Sequence, residues 1–189
     1  MAVNKKKLYH TIFELNQIQL TSSKIFNTMQ ENFLKVIYLE ENKRPDWDEY
    51  FLNIAQEVGK RSTCLRRHYG AIIVKDKIIV STGYNGAPRG EANCIDTGLC
   101  ERERLHIPKG ERYELCVAVH GEQNAIINAD PLRMKGATIY IVGINVADGS
   151  FASGAPCLLC RRMIKNAQID KVIYRDVDGG IVSKNVEDL

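Results

Sequence analysis

The sequence predicts an α/β protein: a central mixed sheet of about five strands with helices on both faces. Three observations predict it. Two β-rich runs, Ala71–Val74 and Ile78–Thr82, flank Lys75-Asp76-Lys77 as the arms of a hairpin. Helical patterns open near Asp46, His120 and Pro156. Two further β-rich runs, Ala137–Val142 and Lys171–Tyr174, fall after the second and third of these helices. The resulting order α-β-β-α-β-α-β is that of a layered α/β domain.

Each element has its own signal. Pro45 precedes Asp46, and Glu49 follows three residues later as in a capping box. Tyr50, Phe51, Ile54, Ala55 and Val58 then form the apolar stripe of a helix running to about Ser62. The second hairpin strand opens into Gly83-Tyr84-Asn85-Gly86-Ala87-Pro88, a turn-forming loop. Residues 87–118 carry no convincing periodicity, and a loop of that length in a compact domain needs something to pin it. A helix follows from His120 to about Ala129, with Ala125, Ile126 and Ile127 facing inward and Pro131 closing it. Gly143–Ala155 reads as a polar loop, Pro156 to Asn166 as a helix, and the tail from Arg175 as exposed turns. Residues 1–44 form a separate helical extension in this reading, with helical spacing at Leu8, Ile12 and Leu15 and again from Phe33 to Leu39. The domain proper is 45–189.

Composition sets limits. The 189 residues are 44% hydrophobic, enough to bury a core. No apolar run reaches the roughly 20 residues of a membrane helix, and no apolar segment follows the basic start as in a signal peptide. A cytoplasmic protein is the default expectation. Residues 1–44 hold seven basic and four acidic side chains, which accounts for the whole net charge of +3. Residues 45–189 are neutral, which argues against a nucleic-acid surface spread over the domain. Six cysteines without a secretion signal read as metal ligands or thiols before disulfides.

The chemistry lies in two stretches, His120-Gly121-Glu122 and Pro156-Cys-Leu-Leu-Cys160. They offer one imidazole, two thiols and one spare carboxylate. Three N/S ligands suit a catalytic zinc, whose fourth position stays open for water. Cys157 and Cys160 are spaced i, i+3 in the first turn of a helix, so both sulfurs face one way. There the helix dipole favours thiolates. Pro156 suits a first helical position because its absent N–H has no partner there. Glu122 stands about 200° around an ideal helix from His120, so the two serve one site only if His120 lies at the helix edge. Each half alone is common. Joined in this order they form the pattern of zinc nucleobase deaminases, in which the carboxylate moves the protons.

The chain resembles the cytidine/deoxycytidylate deaminase family, and within it the deoxycytidylate (dCMP) branch. The resemblance rests on Arg44-Pro-Asp-Trp-Asp-Glu-Tyr-Phe51, Arg61-Ser-Thr-Cys64, Thr82-Gly-Tyr-Asn-Gly86, His120-Gly-Glu-Gln-Asn-Ala-Ile126 and Pro156-Cys-Leu-Leu-Cys160, and covers 44 to about 175. It implies a three-layer α/β/α cytidine-deaminase-like fold and hydrolysis of dCMP to dUMP and ammonia. It implies zinc on His120, Cys157 and Cys160, with Glu122 as proton shuttle. Asn85 and the backbone N–H of Gly121 are implied to meet substrate. Two departures stand out: Gly121 where the family usually has Ala, and Ala155 where Ser or Glu is common.

The resemblance also implies a second, structural zinc at the positions of Cys64 and Cys94. With Cys100 and Cys116 these would give four thiolates, a closed tetrahedral site able to pin the long loop. His106 in place of one cysteine, and free thiols, are the alternatives. A phosphate calls for Arg. Arg67, Arg89 and Arg112 are the candidates, with Arg66 and His68 nearby in sequence. Family members are often activated by dCTP and inhibited by dTTP, which implicates Gly83, Tyr84 and Gly86 as an effector loop, and they assemble as homo-oligomers. The competing readings are a deaminase of another nucleoside, nucleotide or RNA base, and an inactive zinc-stabilised binding protein.

Overall fold

A computed structural model describes residues 30–36, 44–108 and 110–189. Contacts divide the chain between Arg44 and Pro45. Of the first unit, residues 30–36 are helical, with Phe33, Leu34 and Val36 exposed. The helix expected around Leu8, Ile12 and Leu15 lies outside the described residues.

In the unit Pro45–Leu189, α1 spans Trp47–Gly59. Asp46 caps it, its side chain accepting from the Glu49 N–H at 2.9 Å. β1 (Arg67–Lys75) and β2 (Ile78–Tyr84) are antiparallel. Asp76 and Lys77 join them with φ of 50° and 62°, the two left-handed residues of a tight hairpin turn. The long connection that follows holds two short helices, α2 (Cys94–Thr97) and α3 (Glu101–Arg104), and a 3-10 turn at Tyr113–Leu115. Then come α4 (Gly121–Ile127), α5 (Pro131–Met134), β3 (Thr138–Asn145), β4 (Phe151–Ala152), α6 (Leu158–Asn166), β5 (Lys171–Arg175) and β6 (Ile181–Asn185).

The sheet order is β2-β1-β3-β5-β6, with β4 paired to the end of β3 at Gly143 and Ile144. Only β3 and β5 run parallel, and α6 is their crossover. Alternation along β1 feeds two cores. Ile72 and Val74 pack with Phe51, Leu52 and Ala55 of α1 on one face. Ala71 and Ile73 pack with Ala125 of α4 and Ile164 of α6 on the other. Three layers follow from that period of two.

Four expectations change. The tail is not all turns: Ile181–Asn185 adds an edge strand to β5. The polar stretch 143–155 contributes the end of β3 and all of β4. Ile127 is 67% exposed, because α4 ends there; Ala125 is in the core and Ile126 packs against it. The connection 87–118 has regular structure, though only in pieces of three or four residues.

α4 is fastened to β2 by three bonds. Ser81 Oγ donates to the Ala125 carbonyl at 2.6 Å. Asn124 Nδ2 donates to the Tyr84 carbonyl at 2.8 Å, and Asn128 Nδ2 to the Thr82 carbonyl at 3.2 Å. These set the height at which the start of α4 meets the start of α6. Among the described residues, no helix is long and apolar enough to cross a membrane.

Candidate active site

His120 is the N-cap of α4, with extended backbone at φ −71° and ψ 155°. Its N–H donates to Gln123 Oε1 at 2.8 Å, one arm of a capping box. That placement answers the 200° problem: the imidazole leaves the chain before the helix begins, so it can share a site with Glu122. Cys157 is likewise the N-cap of α6, and Cys160 is buried in the first turn. Two helix starts, one before β3 and one after it, thus hold all three candidate ligands.

His120 Nδ1 lies 3.6 Å from Cys157 Sγ and 3.4 Å from Cys160 Sγ. Zinc bonds of about 2.0 Å to nitrogen and about 2.3 Å to sulfur, at tetrahedral angles, separate N and S by about 3.5 Å. The donor set therefore fits zinc in both chemistry and spacing. Among the described residues it is the one group of three or more such side chains whose ligand atoms all lie within 4.8 Å of one another. The Cys157 thiol is pulled down to about 4 by the hydrogen bond from Cys160 and then by His120. The same bond and burial push Cys160 up. Zinc would bind both as thiolates, the ligating form.

Glu122 is buried at 6% exposure beside this group. Burial raises its carboxyl above the ordinary range, partly opposed by His120. A dry carboxylate of raised pKa next to a water-activating metal is suited to taking and returning protons. The pocket over the group is lined by Asn85, Gly121, Tyr69, Tyr113 and three arginines, Arg66, Arg67 and Arg102.

Asn85 is held by both ends of its amide. Oδ1 accepts from the Tyr69 N–H at 2.7 Å, and Nδ2 donates to the Arg67 carbonyl at 3.0 Å. One Nδ2 hydrogen is left over for a ligand. Gly121 opens α4 against β1, where an added Cβ would come within 3.3 Å of the Tyr69 carbonyl oxygen. This is a local reason for glycine in place of alanine. Arg67 reaches the pocket, with Nε bonded to Asn145 Oδ1 at 3.1 Å. Arg89 and Arg112 do not line it. Arg89 bonds Asn128 Oδ1 at 2.8 Å on the surface, and Arg112 pairs with Glu114 at 3.3 Å.

Gly83 lies under α4, Tyr84 supplies a carbonyl to Asn124, and Gly86 bridges to Val119. Cys64, Cys100 and Cys116 border the pocket, and Cys94 lies buried near them. Its thiol is raised by burial and by the nearness of the other three. Sequence reasoning missed Arg102, Tyr69 and Tyr113. Only Tyr69 had a usable signal, an aromatic beside the paired glycine of a buried strand.

A mixed sheet between helices, with a His/Cys/Cys group at two helix starts and a buried glutamate, defines a zinc-dependent deaminase-type domain. The sequence profile of the cytidine and deoxycytidylate deaminase zinc-binding region matches residues 45–176. The chain belongs to that family. It is 41% identical to the deoxycytidylate deaminase of Mycobacterium phage D29 over 137 residues, 69% of this chain and 95% of that protein. It is 33% identical to the deoxycytidylate deaminase of Schizosaccharomyces pombe, covering 76% of this chain but 42% of the yeast protein. Among solved structures, dCMP deaminase from the cyanophage S-TIM5, in complex with dCMP and dUMP, matches with a TM-score of 0.50 and 26% identity. That match covers 71% of this chain and 85% of the phage chain.

Proposed function

We propose that this chain hydrolyses dCMP to dUMP and ammonia, with Glu122 as the proton carrier. The observation that carries the reading is the spacing of His120 Nδ1 and the two sulfurs with a buried carboxyl beside them. His120, Cys157 and Cys160 would hold zinc, which would supply the Lewis acidity that brings the pKa of a water towards neutral. Glu122 takes a proton from the attacking water and delivers it to the pyrimidine ring nitrogen, then helps the amino group leave as ammonia. The Gly121 N–H faces the pyrimidine carbonyl, and Asn85 offers its spare amide hydrogen at the pocket mouth. Ammonia carries away the exocyclic nitrogen and water supplies the new carbonyl oxygen, so the reaction needs no further reactant.

Three arginines against a single carboxylate in the pocket lining support an anionic substrate. Arg66 and Arg67 are the donors proposed for the phosphate. One charge-assisted contact is worth about 1.5–3 kcal/mol, or about 10- to 100-fold. An ultraviolet assay should therefore show dCMP preferred over deoxycytidine by at least about tenfold in kcat/KM. Equal turnover of deoxycytidine would remove the monophosphate assignment, and turnover of cytidine or dCTP in its place would name another substrate.

A second, structural zinc on Cys64, Cys94, Cys100 and Cys116 belongs to the same reading. Its support is that Cys64, Cys100 and Cys116 border one pocket with Cys94 near them, and no three of these sulfurs lie within 4.8 Å of one another, so the loop would close further on the ion. Elemental analysis of fully loaded protein should return two zinc ions per chain; one would remove the idea. Effector control by dCTP and dTTP at Gly83, Tyr84 and Gly86 and a homo-oligomeric state rest on the family resemblance alone, and a cytoplasmic setting is proposed on the sequence pattern. The domain assignment, a helical extension of 1–44 and a catalytic 45–189, is proposed on the sequence pattern.

A further inference from the structure

Arg102 is a buried cation with no carboxylate partner among the described residues. It is 5% exposed, in a connection where its neighbours Glu103 and Arg104 face solvent. Nη1 donates to the Arg112 carbonyl at 3.0 Å and to the Glu111 carbonyl, and Nη2 donates to the Pro108 carbonyl at 2.8 Å. The guanidinium lies 4.8 Å from the centre of the Tyr113 ring. A desolvated charge that answers only carbonyl dipoles and one aromatic ring fixes both tightly, because its other option is an unmet buried charge.

Tyr113 passes this on. Its ring meets the His120 imidazole edge-on, with centroids 5.2 Å apart and planes at 85°. Metal-binding imidazoles are ordinarily oriented by a hydrogen bond from the nitrogen that does not ligate, and losing that partner costs affinity. Here Nδ1 faces the sulfurs, and Nε2 has no hydrogen-bond partner among the described residues. The Tyr113 ring is the side chain in place to do that work.

We propose that Arg102 and Tyr113 are positioning residues for the metal site: Arg102 clamps Tyr113, and Tyr113 sets the orientation of the His120 ring. Neither touches the metal. The inference rests on the zinc assignment above and is independent of which substrate is used.

The test is zinc retention across a series of chelators of rising strength. Elemental analysis counts the ions that leave, and the same series on a His120→Ala variant shows which of them came from His120. Tyr113→Leu should weaken retention of that ion by about 2- to 10-fold, the cost typical of a lost aromatic pair. Tyr113→Phe keeps the ring and should retain zinc as the parent does. Arg102→Met should move in the direction of Tyr113→Leu, and combining the two should cost no more than Tyr113→Leu alone. Parent-like retention by Tyr113→Leu, or equal losses in Tyr113→Phe and Tyr113→Leu, would overturn the proposal. So would full additivity in the double variant. If Arg102→Met does not fold, the Phe and Leu pair decides alone. A parent protein that binds zinc but leaves dCMP unchanged would count against the substrate reading and leave this comparison intact.

Discussion

Glu122→Gln should keep its catalytic zinc and lose kcat by at least about a thousandfold, the upper part of the range for removing a positioned acid–base group. Gln has the volume and hydrogen-bonding shape of Glu, so the buried space at 6% exposure stays filled. It cannot accept and return a proton. The loss should exceed that of a single-step base, because one carboxylate serves the water, the ring nitrogen and the departing amine in turn. Zinc content should not change, since the atoms that would ligate it are His120 Nδ1 and the two sulfurs. Kinetics beside elemental analysis read both outcomes. Near-normal turnover would show that protons move by another group. A loss of zinc together with activity would show that the carboxylate supports the metal instead.

Much of this site was legible because its chemistry is local. The spacing of Cys157 and Cys160 and the two-residue step from His120 to Glu122 are properties of single helix starts, so short stretches reveal them. The cap positions themselves were less legible. Both metal-facing N-caps have extended backbone, whereas the pattern set His120 at the first and Cys157 at the second helical position, with Pro156 opening a helix that in fact starts at Leu158. The arginines show where local reading ends. Arg67, Arg89 and Arg112 look alike in sequence, yet only Arg67 reaches the pocket, because β1 carries it there through pairing with β3. Arg102 sits in a run of charges, Glu101-Arg102-Glu103-Arg104, that reads as a solvated face. Its burial follows from carbonyls six to ten residues downstream folding back over it. β6 was missed for a related reason: four of its five residues are exposed, so it lacks the apolar alternation of a strand with a buried face.

Gly83→Ala should damage folding and catalysis together, although Gly83 touches no candidate ligand. An added Cβ there would overlap the Ala125 nitrogen and the Gly121 carbonyl oxygen, and would come within 2.8 Å of the Asn124 carbonyl carbon. All three are backbone atoms of α4, so no side chain can swing away and the helix itself must lift. Overpacking of this kind costs about 1–3 kcal/mol. The bonds from Ser81, Asn124 and Asn128 that hold α4 to β2 would strain with it. α4 begins at the residue after His120 and carries Glu122, so a lift of roughly 1 Å would move both against the sulfurs of α6. A displacement of that size costs on the order of a hundredfold in rate. Gly86→Ala is the control. Its Cβ would meet the Thr63 hydroxyl at 2.8 Å, with no α4 backbone among its nearest neighbours, so both readouts should fall far less than in Gly83→Ala. Urea melts and kcat on zinc-loaded protein measure the pair. A Gly83→Ala variant with parent-like stability and rate would mean that α4 does not rest on β2 in this way. The separation of the imidazole from the two thiols would then need another explanation.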